Sequence, residues 1–233
     1  MISVALAAYQ GEDYIEAQLR SILPQLEQGD EIIVSDDKPG GATERIVRRV
    51  MADDPRVIYV EGKGQGVVAN FVNAIRHCRG DKIFLSDQDD VWLPDKVRRV
   101  MDAFDAGATL VLHNAYVTDK DLNITDYSFF ALRGSKPGFV RNIIKNSYMG
   151  CCMAFDRKLL KKIMPMPKHL PMHDQWIGLM GEMYGKVTFL DAPLIYYRRT
   201  GNNVTGGKTS AGQKLQWRRY LLKRLAGRIL FDR

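Results

Sequence analysis

The sequence has no run of about 18 consecutive apolar residues, which excludes a predicted membrane-spanning helix. Nor does a basic region with a long apolar stretch precede the first strand-like run, Ile2-Ser3-Val4-Ala5-Leu6, so no secretion signal is expected. Cysteine is scarce. Cys78, Cys151 and Cys152 are the whole set, an odd number with two adjacent, which excludes a disulfide framework and a CxxC metal site. A reducing, cytoplasmic setting is the simplest expectation, with the inner face of the cytoplasmic membrane as one place within it. Internal repeats and low-complexity tracts are absent. Acidic residues are nearly missing from one end: residues 213–233 hold seven of the 34 Lys and Arg but one of the 27 Asp and Glu. The remaining chain is close to neutral, so the net charge of +7 belongs to that terminal segment. A nucleic-acid binder normally carries its basic stripe on the folded domain, and nucleic acid is therefore not an expected partner.

What is present reads as a folded α/β chain. A content of 45% hydrophobic and 26% charged residues is ordinary for a globular protein, and 233 residues suffice for one domain with at most an appendage. The runs "ISVALAA", "EIIVSDD", "RVIYVEG" and "KIFLSDQ" predict buried strands, and amphipathic helical patterns lie between and after them. Strands spaced by helices imply right-handed crossovers and a mainly parallel sheet. Beyond residue 107 the alternation lapses. "ATLVLHNAYVTDKDLNI" predicts a strand and hairpin, residues 125–147 a mobile connection, "YMGCCMAF" a strand, "HDQWIGLMGEMYG" a helix closed by Gly185, and "KVTFLDAPLIYYRR" a further strand. The expected division is 1–107 as a nucleotide-binding half, 108–212 as an acceptor-binding half, and 213–233 as a basic amphipathic helical tail.

In parallel sheets, ligands bind beyond the carboxyl ends of the strands. Three such ends carry chemistry here: Ala8-Tyr9 after the first strand, Asp36-Asp37 after the second, and Asp87-Gln88-Asp89-Asp90 after the fourth. Each alone reads first as a turn or helix cap, and the three together on one sheet edge point to a shared site. The last is the most charged, because "SDQDDVWLPDK" puts Asp87, Asp89, Asp90 and Asp95 close together. Close carboxylates disfavour one another's ionised forms unless a cation or protons relieve them. If the stretch is extended, Asp87 and Asp89 point to one side and Asp90 elsewhere. Asp95 reads as a helix-start acid. In "GKGQGVVANF", Gly64 and Gly66 let the backbone approach a ligand, or merely enter a helix.

The order of "ISVALAAYQGEDYIEAQLRSIL", "IIVSDD", "GDKIFLSDQDDVWLPDK", "YMGCCMAF", "HDQW" and "YRRTGNNVTG" resembles a family 2 glycosyltransferase with the GT-A fold, a Rossmann-like mixed sheet flanked by helices. "SDQDDVW" and "GNNV" are most similar to bacterial rhamnosyltransferases. The resemblance implies an inverting, metal-dependent transferase moving a sugar, rhamnose from dTDP-rhamnose in the first instance, onto a cell-surface glycan or lipid-linked acceptor. It implies Mn2+ or Mg2+ at Asp89, with Asp87 facing the metal or ribose and Asp90 a further candidate. Tyr9 is implied at the base and Asp37 at an imide N–H of uracil or thymine, with Asp36 either sharing that role or holding the turn. Nucleotide-sugar contacts are implied also at Ala8, Asn70, Gln88 and Arg198. Asp174 is implied as the general base; its bland alternative is a helix cap. His173 could tune Asp174, bind acceptor or face solvent, and Trp176 could be core or a sugar platform. One position departs from the pattern: Thr200 stands where relatives often have a histidine, leaving Arg198, Arg199 and Asn203 as diphosphate candidates.

In the tail, Leu215, Leu222, Leu225 and Ile229 lie at helical spacing among basic residues. Such a helix either lies on a membrane surface or packs on the domain by its apolar face. Other readings remain: the same fold with a UDP-linked donor, a nucleotidyltransferase, and a non-catalytic membrane or partner-binding protein. A nucleotidyltransferase usually has a glycine-rich phosphate loop with Lys or Arg after the first strand, and "AAYQGEDY" has neither.

Overall fold

The computed structural model describes residues 1–201 and 210–231, with the backbone alone for 229–231. The first half alternates as the patterning predicts: β1 (Ile2–Ala8), α1 (Ile15–Ile22), β2 (Glu31–Asp36), α2 (Ala42–Asp53), β3 (Val57–Glu61), α3 (Val67–His77) and β4 (Lys82–Asp87). Every residue of β1 and β2 is buried, as expected for central strands covered on both faces. Helix α1 buries Ile15, Leu19 and Ile22 along one stripe, and α3 buries Phe71, Ala74 and Ile75. Each fully buried side chain of that size contributes about 1.5–3 kcal/mol.

The chain continues through β5 (Val91–Trp92), α4 (Lys96–Asp105), β6 (Leu110–Thr118), β7 (Ile124–Asp126), α5 (Phe129–Arg133), α6 (Phe139–Ile144), β8 (Met153–Asp156), α7 (Arg157–Ile163), α8 (His173–Tyr184), β9 (Val187–Arg198) and α9 (Ala211–Phe231). Both halves build one sheet, ordered β3-β2-β1-β4-β8-β6-β9-β5, with β7 paired to β6. The pairings from β3 to β4 are parallel, whereas β8 runs antiparallel to β4 and β6. The sheet is mixed and flanked by helices, which is the GT-A architecture.

Several expectations need correction. Residues 125–147 are not a structureless connection: β7, α5 and α6 occupy them, with Ser128 accepting from Ala131 N to cap α5 and Gly134 (φ 64°) ending it. "YMGCCMAF" is strand only from Met153, because Gly150–Cys152 form a 3-10 turn. The tail helix α9 buries Leu221 and Leu225 and rests near α6 and the 165–168 loop, where Arg228 reaches Pro165 O and Tyr220 reaches Lys168 O. Leu215 and Leu222 stay exposed, so packing uses only part of its apolar surface.

Candidate active site

The register aligns the exits of the parallel strands. Ala8 lies beside Asp36 and Ala7 beside Asp87, so Tyr9, Asp37 and the 88–90 turn leave the sheet along one edge. Three side-chain ties hold them there. Gln88 accepts from Tyr9 N at 2.7 Å and donates to Tyr9 O at 2.9 Å, locking the acidic turn to the end of β1. Asn70 donates to Ala8 O and Ser35 O at 2.9 Å and accepts from Ser35 Oγ at 2.6 Å, bridging β1 and β2. Gln18 donates to Ser86 Oγ at 2.7 Å and Asp87 O at 3.2 Å, anchoring α1 under β4. The amide nitrogens of Gln88 and Asn70 are thus committed to backbone carbonyls, and Ala8 offers only main chain.

Asp36 and Asp37 divide their work. Asp36 is fully buried, accepts from Lys38 N at 3.0 Å and from the Tyr59 hydroxyl at 3.2 Å, and so holds the turn. Asp37 accepts from the N–H groups of Gly64, Gln65 and Gly66 at 2.9, 3.3 and 2.7 Å. Gly64 and Gly66 have φ values of 64° and 87°, a left-handed conformation that L side chains resist. A carboxylate has about four acceptor positions, so Asp37 retains capacity for one more donor. Tyr9 is 55% exposed at the mouth of the same crevice.

The acidic turn differs from its sequence reading. Strand β4 ends at Asp87 and residues 88–89 reverse the chain, so the two-residue period of a strand stops applying. Asp90 does not point elsewhere: ligating atoms of Asp87, Asp90 and Cys151 lie within 4.8 Å of one another, and Asp89 is not in that group. Asp90 is fully buried, accepts from Arg198 N at 3.1 Å through Oδ1, and has no partner among the described residues for Oδ2. Asp87 and Asp89 remain half-buried at the surface of the cluster. Burial, then the Asp89 charge, pushes the Asp87 carboxyl up to about 7, and Asp174 adds to the push. Burial likewise raises Asp89, and burial with the Asp89 and Asp87 charges raises Asp90 far above the usual range. Crowded carboxylates with an unpartnered oxygen fit a hard, oxygen-seeking dication. Cys151 does not fit, because its hydrogen bond with Cys152 and then burial keep the thiol protonated.

Lys96 was not singled out from the sequence, although it shares the apolar face of α4 with Val100 and Phe104 at four-residue spacing. It is fully buried, donates to Cys151 O at 2.9 Å and lies 3.8 Å from the Trp92 ring centre. Burial drops its pKa to about 8, against the opposing pull of Cys152, Cys151, Asp90 and Asp87. An internal cation therefore underlies the acidic turn. Lys96→Met keeps the apolar stem but leaves Cys151 O without its donor. We expect about 1–3 kcal/mol lower stability in chelator, read by thermal unfolding, and a smaller deficit in excess Mn2+.

Across the crevice, α8 begins with Met172 as its N-cap, so Asp174 sits inside the first turn rather than capping it. Its Oδ1 accepts from Asn146 Nδ2 at 3.0 Å and from Gln175 N at 2.5 Å. Burial lifts its carboxyl to about 6, against those two hydrogen bonds. His173 does not face solvent: it is buried, stacks on Phe71 at 4.0 Å, and burial lowers its pKa to about 3, keeping the ring neutral. Trp176 is fully buried and donates from Nε1 to Ile163 O at 3.0 Å, which makes it core and removes it as a sugar platform. Arg198 is also buried: it donates to Asp89 O at 2.8 Å and to Lys120 O, stacks on Tyr14, and clamps the acidic turn to β9. Arg199 is exposed and Thr200 follows it, while Asn203 lies outside the described residues.

These observations can be set beside known proteins. The model of the family described as Glycosyl transferase family 2 matches residues 3–164. An uncharacterized glycosyltransferase of Nostoc sp. is 25% identical over 87% of this chain and 66% of its own length. The dTDP-rhamnosyl transferase RfbG of Shigella flexneri is 26% identical over 88% of this chain and 75% of its own. Among solved structures, S. aureus TarS in complex with UDP-GlcNAc superposes with a TM-score of 0.73 at 17% identity, covering 99% of this chain and 66% of TarS residues 1–349. The chain thus spans about two-thirds of the Nostoc relative and of that TarS fragment. With a family model covering most of its length and the GT-A sheet carrying the acidic turn, the chain belongs to glycosyl transferase family 2.

Proposed function

We propose that the chain is an inverting, metal-dependent glycosyltransferase that moves a sugar from a nucleotide diphosphate to an acceptor hydroxyl, with dTDP-rhamnose as donor. The observation that carries this reading is Asp174, a buried carboxylate that ionises near pH 6 within electrostatic reach of the acidic turn. Both of its hydrogen bonds fall on Oδ1, leaving Oδ2 to accept the hydroxyl proton. As that proton moves to Oδ2, the acceptor oxygen bonds to the anomeric carbon and the bond from that carbon to the diphosphate breaks.

On the donor side, Tyr9 offers an exposed ring to the base and Asp37 its remaining acceptor position to an imide N–H. Asp89 and Asp87, the half-buried members of the acidic turn, are the ligands in this reading for Mn2+ or Mg2+, with the unpartnered Asp90 Oδ2 beside Asp87 as a further candidate. When bound, the dication neutralises charge that develops on the departing diphosphate. The acceptor in this reading is a hydroxyl of a growing cell-surface glycan carried on a lipid. Among the described residues no helix is long and apolar enough to cross a membrane, so such an acceptor would be met at a surface.

Similarity to the Shigella flexneri rhamnosyl transferase favours dTDP-rhamnose, while the TarS complex with UDP-GlcNAc favours a UDP-linked donor as the second reading. A panel of nucleotide sugars, assayed for slow hydrolysis with and without Mn2+, separates them. We expect dTDP-rhamnose to be consumed fastest and only with metal. Preference for a UDP-sugar moves the donor to the second reading, and a panel in which no member is bound or hydrolysed overturns the proposal.

A further inference from the structure

Four exposed apolar side chains away from the crevice, Val140, Ile144, Leu215 and Leu222, lie on two neighbouring helices. On α6, Val140 and Ile144 are four residues apart, share one face and are 68% and 59% exposed, whereas Asn142 and Ile143 face inward. Helix α9 lies alongside, because the Arg218 guanidinium donates to Ile144 O. Leu215 and Leu222, three and four residues from Arg218, are 56% and 47% exposed. Exposed cations interleave with them: Arg141 on α6 and Lys145 just after it, Arg219 and Lys223 on α9. Residues 127–155 and 211–231 contain no Asp or Glu at all.

Large apolar side chains clustered on a surface mark an interaction site, and here every charged neighbour on those helices is positive. Apolar side chains among cations, without acids, suit the headgroup boundary of an anionic bilayer, where each basic residue contributes about 1 kcal/mol. We propose that α6 and α9 together form a docking face for an anionic lipid surface, with Val140 and Ile144 as the pair that inserts. Helix α6 leads within two residues to Asn146, which holds Asp174, so docking would present the crevice to acceptors carried by the membrane. This deepens the lipid-linked acceptor of the proposed function and rests on it only for that last step.

The test is co-sedimentation of the full chain with vesicles of phosphatidylglycerol and phosphatidylcholine, compared with vesicles of phosphatidylcholine alone. The unaltered chain is expected to pellet with the anionic vesicles, and Val140→Glu/Ile144→Glu to lower its affinity at least about tenfold. Circular dichroism checks that the variant is folded; if it is not, Arg219→Glu/Lys223→Glu, at exposed positions on α9, replaces it with the same expectation. Equal binding by a folded variant overturns the proposal, as does failure of the unaltered chain to bind anionic vesicles. A dimer in sedimentation velocity that the variant dissolves, without vesicle binding, assigns the face to a second copy and also overturns it. Nucleotide-sugar hydrolysis without vesicles should be unchanged in either variant, which reads the proposed activity separately from docking.

Discussion

Asp174→Asn is expected to lower sugar transfer about 100- to 10,000-fold while leaving nucleotide-sugar affinity within about twofold, because only the proton acceptor is lost. The amide is nearly isosteric and can still receive the Asn146 and Gln175 hydrogen bonds through its carbonyl oxygen, so the start of α8 should keep its geometry. Parallel calorimetry with the donor and a transfer assay would separate the two effects. Transfer at the unaltered rate would remove Asp174 as base, and loss of donor binding would make it a structural residue instead.

The same carboxyl is expected to set an acid limit on activity. Burial raises its pKa to about 6, so the base form is lost as pH falls through that value. The kcat profile should therefore decline below about pH 6, and the residual rate of Asp174→Asn should lack that limb. Stability runs the other way. Between the ordinary carboxylate value of about 3.9 and about 6, folded Asp174 holds a proton that the unfolded chain has released. Its contribution to stability thus diminishes as pH rises through that window, which is the cost of keeping a base buried.

The parallel half of the sheet was legible because its strands are uninterrupted apolar runs, and because its helices carry one clear stripe each. Periodicity was silent on α5 and α6, which are short and held by a Ser128 cap, by Arg141 and Lys145 reaching the carbonyls of Gly134 and Arg133, and by Glu182 accepting from Gly138 N. At the site, the residue types were legible but their directions were not. Asp90 turned inward because the chain reverses at Gln88 and Asp89, and no local rule in the sequence announces that reversal. Gln88, Asn70 and Arg198 are polar residues that hydrogen-bond backbone carbonyls far along the chain, so only tertiary structure reveals their part in holding the strand ends together. Lys96 is the exception that sequence could have yielded, since a lysine in phase with Val100 and Phe104 on a buried stripe is conspicuous.

Asp89→Ala is expected to abolish metal-dependent donor binding, and the proton balance of the turn provides an independent reading of the same event. In the metal-free turn burial raises the carboxyls of Asp87, Asp89 and Asp90, and the Asp89 charge raises Asp87 and Asp90 further, with Asp87 near 7. A dication needs carboxylates, so binding must expel protons, and affinity for Mn2+ should weaken as pH falls from about 8 to about 6. Titration calorimetry in two buffers of different ionisation enthalpy would show that release directly. In Asp89→Ala the charge that presses most on Asp87 is gone, so both Mn2+ affinity and proton release should collapse together, while folding is retained because Asp89 is half-buried and its structural bond to Arg198 uses only its carbonyl oxygen. Donor binding that is equally tight with Mn2+, with chelator and in Asp89→Ala would place charge neutralisation elsewhere, leaving the acidic turn to the buried Lys96.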